Sequence, residues 1–137
     1  MSYEILDHTA DVKFKAKGDS LNEVFSESVK AFADIVGGGG GATGHTVKVE
    51  SENLDALLFD FLDELIFLQE TENVAVGGPK EVEIEELENG YGIEATVWTD
   101  PITSQQGLLD IKAPTYSEMK VDYIKGEGWE IVAVLDI

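Results

Sequence analysis

Cysteine is absent from the 137-residue chain, which excludes disulfides, thiolate metal sites and cysteine nucleophiles together. Histidine is almost as scarce. His8 and His45 stand far apart, without the helical spacing that pairs histidines on zinc. No apolar run approaches the roughly 20 residues needed to cross a bilayer. The opening Met1-Ser2-Tyr3-Glu4 has no basic stretch leading into an apolar one, so neither a membrane span nor a signal peptide is expected, and the cytoplasm is the expected compartment. Positive charge is short as well: nine Lys and Arg against 28 Asp and Glu leave a net charge of −19. Gripping RNA or DNA takes cations that displace counterions from phosphates, so this surface should repel nucleic acid on its own. Any role in RNA metabolism then has to act through another protein. Acidity of this kind also serves solubility alone, and it bears on association rather than on fold.

The hydrophobic fraction is 43%, enough to argue against disorder despite the charge, and the length fits one domain spanning residues 1–137. No repeat or internal boundary interrupts it. Strands are expected over 3–6 and 11–17, the second because Val12, Phe14 and Ala16 alternate with polar residues. A helix follows: Ser20 and Glu23 have capping-box spacing, and Leu21, Val24, Phe25, Ser28, Phe32 and Ile35 fall on one narrow face. It should stop in the glycines at 37–41. A short strand over 45–50 precedes a second helix over 55–70, where Leu54, Leu57, Leu58, Phe61, Leu62, Leu65, Ile66 and Leu68 make the most apolar segment and the expected central core helix. Strands are then expected over 82–87, 93–99, 120–125 and 129–135, with 112–119 ambiguous. Two main helices among about seven mostly antiparallel strands predict a single-domain α+β fold.

Most candidate sites reduce to ordinary structure. The run from Gly37 to Gly44 lacks the Lys-Ser/Thr pair of a phosphate loop and closes a helix instead of opening one, so a flexible linker is expected. Glu85-Glu86 and the group Asp60, Asp63 and Glu64 read as solvated faces, with partner contact as the other reading for Asp63 and Glu64. Calcium-loop spacing is absent. No nucleophile–base constellation is visible, and stand-alone catalysis is not expected.

The junction Asp7-His8-Thr9-Ala10-Asp11 is different. A tight turn accounts for Asp7, His8 and Thr9, but Asp11 opens a strand, where aspartate is disfavoured, and a cation would compensate it. At the other end an apolar strand runs directly into Asp136-Ile137. A frayed tail is the plain reading. A docked one would bring a carboxylate and backbone or terminal oxygens to a common place. If the first and last strands are neighbours, Asp11 and Asp136 face one cation, and oxygen-only ligation suits Ca²⁺ or Mg²⁺ over zinc or copper.

Four segments together resemble the archease family. They are Tyr3-x-x-Leu6-Asp7-His8-Thr9-Ala10-Asp11-Val12, the helical Leu57-Leu58-Phe59-Asp60-Phe61-Leu62-Asp63-Glu64, the stretch Ile111-Lys112-Ala113-Pro114-Thr115-Tyr116-Ser117, and the terminal Leu135-Asp136-Ile137. Pro114 departs from the small aliphatic residue expected there, and the glycine run is longer than usual. The resemblance implies an accessory protein for the GTP-dependent tRNA-splicing RNA ligase that joins 2′,3′-cyclic phosphate and 5′-hydroxyl ends. Such a protein promotes ligase guanylylation and multiple turnover, and has a chaperone-like action on tRNA-modifying enzymes. It also implies a divalent-metal site on Asp11, Asp136 and Ile137, with Ca²⁺ the expected ion and Mg²⁺ or Mn²⁺ the alternatives. His8 and Lys112 become partner or functional residues. A general protein chaperone and a small metal-dependent hydrolase are the rival readings.

Overall fold

The structure is a computed structural model that describes residues 1–7, 11–38, 41–102 and 108–137. The alternation at the start of the chain behaves as its period requires. Strand β1 (Ser2–Asp7) pairs antiparallel with β2 (Asp11–Gly18), and Val12, Phe14 and Ala16 turn into the core. Helix α1 (Leu21–Val36) then starts on Ser20, whose side chain accepts the Glu23 N–H at 3.1 Å. The Glu23 carboxylate reaches back to the N–H of Asp19 at 2.8 Å, one residue before the cap, so the two side chains satisfy both sides of the helix start. At the far end Gly37 adopts φ 90°, and the Ala33 carbonyl accepts the N–H groups of both Gly37 and Gly38, which stops the helix by the left-handed route glycine favours.

The remaining elements are β3 (Thr43–Ser51), α2 (Leu54–Glu72), β4 (Val74–Leu87), β5 (Gly90–Pro101), β6 (Ala113–Ile124) and β7 (Gly128–Asp136). They form two sheets, one ordered β1-β2-β7-β6 and the other β3-β5-β4, and every pairing is antiparallel. Each helix touches strands of both sheets, so one hydrophobic core is shared between them. The last strand is interior, between β2 and β6. Residues Ile131 to Leu135 are all at most 3% exposed, which is why this segment reads as a continuous apolar run instead of an alternating one. Among the described residues no helix is long and apolar enough to cross a membrane.

Three features differ from the sequence expectation. The central helix is α1, not α2. Val29, Ala31, Ala33 and Val36 join Val24, Phe25 and Phe32 in being buried, because the helix is gripped by β2 on one side and β4 on the other. The more apolar α2 leaves Phe67 57% exposed, so apolar content overstated its burial. Strand β4 begins eight residues earlier than expected, at Val74. Its first half carries register shifts at Val76/Gly78 and Pro79/Glu81, and Gly-Gly-Pro, a turn signal by composition, is absorbed into bulges on an edge strand. The glycine run is also more than a tether: a Cβ on Gly41 would lie 2.8 Å from the Thr99 nitrogen, so this position needs glycine for close approach. Gly39 and Gly40 lie outside the described residues.

Helix side chains also close two sheet edges. Asn22 and Gln69 accept backbone N–H groups of Ile84 and Val76 on β4, and Asp55 accepts that of Val121 on β6, which blunts edges otherwise open to strand addition.

Truncation distinguishes the two helices. Phe32→Ala should cost about 3–5 kcal/mol, the usual loss for a large core aromatic, whereas Phe67→Ala should stay within about 0.5 kcal/mol. Urea unfolding midpoints read both, and a larger loss at Phe67 would return the central role to α2.

Candidate metal and partner site

Strand register brings the two ends of the chain together. Asp11, the first residue of β2, stands directly opposite Asp136, the last residue of β7, and Ala113 of β6 lies opposite Asp136 on the other side. Residues so paired put their side chains on the same face, with Cα atoms about 4.5–5.5 Å apart. The buried Val12, Phe14 and Ala16 of β2 and Ile131, Ala133 and Leu135 of β7 mark the inner face. By alternation Asp11 and Asp136 are on the outer one, beside a second row of Lys13, Val134 and Thr115. Asp11 is half-buried and Asp136 exposed. Ile137 packs against the core, and the Lys112 N–H donates to the Asp136 carbonyl at 2.9 Å. The end of β7 is therefore held in place.

Two carboxylates directly opposite each other on adjacent strands are a disfavoured cross-strand pair. The geometry suits them to share a cation, since metal–oxygen distances of about 2.0–2.6 Å let one ion bridge both. The donor set is all hard oxygen: two carboxylates, supplemented by the oxygens of Ile137. That set fits Ca²⁺, Mg²⁺ or Mn²⁺ and is poorly matched to softer metals. It is not a full cage. Among the described residues no three His, Cys, Asp or Glu side chains converge on one point, so water or a partner's groups would complete the coordination.

The other candidates fall in different places. Lys112 is joined to the pair by its backbone, but its side chain lines a hollow of about 200 Å³ with Asp63, Glu64, Ile66, Phe67 and Glu70. Among the described residues it forms no ion pair. Asp63 and Glu64 thus lie beside the Lys112 side chain, a proximity that α2 read as an isolated helix could not reveal. His8 lies outside the described residues. His45 is engaged in structure, its Nδ1 2.9 Å from the Thr99 hydroxyl across β3 and β5.

Sequence reasoning missed Thr115 and Glu118. The Thr115 hydroxyl is buried without a hydrogen-bond partner among the described residues, in the row next to the two aspartates. Glu118 carries φ 59° in a break of register on β6 and pairs with Lys13 at 2.8 Å. Alternation alone places Lys13 on the face of Asp11. No sequence signal places Glu118 there, because a bulge resets the alternation. A second acidic feature lies on the other sheet, where Glu50, Glu83, Glu85 and Glu94 line a shallow hollow of about 750 Å³ with Lys48 and Asn22.

The profile of the Archease protein family matches residues 3–137. Protein archease of Methanosarcina acetivorans is 34% identical over 140 residues, covering 98% of this chain and 95% of its own. That of Pyrococcus abyssi is 31% identical, covering 98% of each. The solution structure of Methanobacterium thermoautotrophicum protein 1598 superposes with a TM-score of 0.81 at 30% identity, over 98% of both chains. A Thermotoga maritima crystal structure, described as an archease and possible chaperone, superposes with a TM-score of 0.64 at 22% identity, over 96% of this chain and 94% of its own. That likeness bears on fold alone.

The like-charge pair makes a prediction about stability. In chelator, Asp136→Asn should raise the unfolding free energy by about 0.2–1 kcal/mol, by relieving repulsion from Asp11. Thermal melts with and without EDTA measure it, and a lower melting temperature for the variant would show that the two carboxylates are already compensated.

Proposed function

The chain belongs to the archease family, and from that premise we propose that it is an accessory protein of the GTP-dependent tRNA-splicing RNA ligase. In this role it promotes guanylylation and repeated turnover of the ligase and is not itself an enzyme. The single observation that carries the reading is the register that sets Asp11 opposite Asp136 at the docked end of β7. Asp11 and Asp136 would hold a divalent cation through their carboxylates, and Ile137 through a backbone or terminal oxygen. Calcium is the proposed ion, with Mg²⁺ and Mn²⁺ as alternatives of the same hard-oxygen class.

A bound cation would supply positive charge against the triphosphate of the partner's GTP, where charge develops as the nucleotide is transferred. The chain's own part is to position and present. The interior strand β7 fixes one carboxylate and β2 the other, both at the sheet's end. Lys112 and the adjacent carboxylates of α2 offer a contact surface beside them, and His8 is proposed to contribute from the β1–β2 junction. A net charge of −19 disfavours direct capture of tRNA and favours approach to a basic protein surface. The work is placed in the cytoplasm, with tRNA-modifying enzymes as further partners.

A general chaperone would depend on diffuse acidity such as the carboxylates of the β3-β5-β4 sheet, and should survive loss of Asp11 or Asp136. A metal-dependent hydrolase would turn over phosphoesters without a partner. The deciding experiment is ligase guanylylation with purified components. Asp11→Ala and Asp136→Ala should each reduce stimulation by at least tenfold while leaving the circular dichroism spectrum unchanged. Wild-type stimulation by both variants would refute the metal reading. Unchanged protection of an aggregating client, together with no effect of the parent chain on the ligase, would favour the chaperone.

A further inference from the structure

Lys13 is on the same face of β2 as Asp11, two residues along, a step of about 6.8 Å. A lysine stem spans that distance, so its ammonium is the built-in competitor for any cation shared by Asp11 and Asp136. The ammonium is engaged elsewhere. It pairs with the Glu118 carboxylate at 2.8 Å, a contact that bridges 105 residues of sequence and joins β2 to β6. Between these strands lies β7, where Val134 is opposite both Lys13 and Thr115 and only 3% exposed.

Glu118 reaches this position through an irregular backbone. From Thr115 to Lys120, β6 advances five residues, while its partner β7 advances two, from Val134 to Val132. The bulged segment holds Glu118 at φ 59°, a left-handed conformation that a non-glycine side chain adopts at a cost. Its neighbours anchor the segment: Tyr116 stacks on Phe59 at 3.9 Å, and Met119 is buried. A disfavoured conformation held by packing on both sides, ending in a carboxylate placed on the lysine two residues along β2 from Asp11, has a specific consequence.

We infer that Glu118 is a positioning residue for the cation site: it holds the Lys13 ammonium away from Asp11 and Asp136, so that a divalent ion and not the protein's own lysine neutralises them. The inference rests on the cation reading of these aspartates. It adds a residue that acts on the site through Lys13, and the coupling between the two residues separates that effect from a simple contribution of negative charge.

The test is a double-mutant cycle read by calorimetric titration of Ca²⁺, and in parallel Mn²⁺, into the full chain. Glu118→Gln should weaken binding about tenfold, the order expected when a unit charge moves to within several ångström of a solvent-screened site. Lys13→Met alone should change affinity by about twofold or less, because the lysine is already held off. Lys13→Met added to Glu118→Gln should restore affinity to within about threefold of the parent. Glu118→Asn must give the same pattern; asparagine tolerates the left-handed region, so this variant separates the charge effect from unfolding of the bulge. If Lys13→Met strengthens binding by the same factor with and without Glu118, the carboxylate acts only as bulk charge and the inference is overturned. Absence of ion uptake by the parent chain is a different result, which removes the cation reading itself and this inference with it.

Discussion

The antiparallel pairing of β2 with β7 is the constraint on which the rest of the molecule depends. It joins residues 11–18 to residues 129–136 in an unbroken register, closing most of the chain into one long loop. Such long-range pairing carries a large loop-closure entropy, and the burial it achieves offsets it. Strand β7 lies between β2 and β6 with apolar side chains covered on both faces, and α1 packs on the inner side. The same register sets Asp11 against Asp136. Slipping β2 by one residue would turn Asp11 to the core face and Val12, Phe14 and Ala16 outward, so the burial of Val12, Phe14, Ile131, Ala133 and Leu135 is what holds two like charges face to face.

The arrangement sets site against stability locally. Opposed carboxylates cost the folded state something that a hydrophobic strand end would not, and the cost is confined to the last rung of the ladder, where solvent reaches Asp136. In the proposed role a divalent ion, or a partner that brings one, would convert that cost into affinity. Structures that keep a disfavoured pair at an otherwise well-packed place commonly do so at functional positions.

Charge is distributed unevenly over the two outer sheet faces. All nine basic residues are lysines, and Lys13, Lys15, Lys17 and Lys120 gather on the outer side of the β1-β2-β7-β6 sheet, paired in part with Glu118, Glu130 and Asp122. The β3-β5-β4 sheet instead presents Glu50, Glu83, Glu85 and Glu94 with Lys48. Most of these pairs are exposed and contribute little to stability. The aspartate pair lies apart from the acidic sheet, at the end of a face where positive and negative side chains alternate.

Periodicity was enough to read β2, the capped start of α1 at Ser20 and Glu23, the glycine stop at Gly37, and the seven-strand, two-helix α+β plan, because each reports a local preference of the backbone or a single buried face. The four segments resembling the archease family, with Asp11 and Asp136 among them, were likewise legible as residue types in order. Where burial comes from several directions the local pattern misled. The apolar α2 is less enclosed than α1, and the Gly-Gly-Pro of β4 is bulged strand instead of turn. Only the tertiary structure decided that Asp11 and Asp136 are cross-strand partners, that the Lys112 side chain lies beside the carboxylates of α2, and that Glu118 reaches Lys13 across β7. These are contacts between residues 42 to 125 positions apart, set by sheet order, register and one bulge. Such quantities belong to the packing of the whole chain, and no window of sequence contains them.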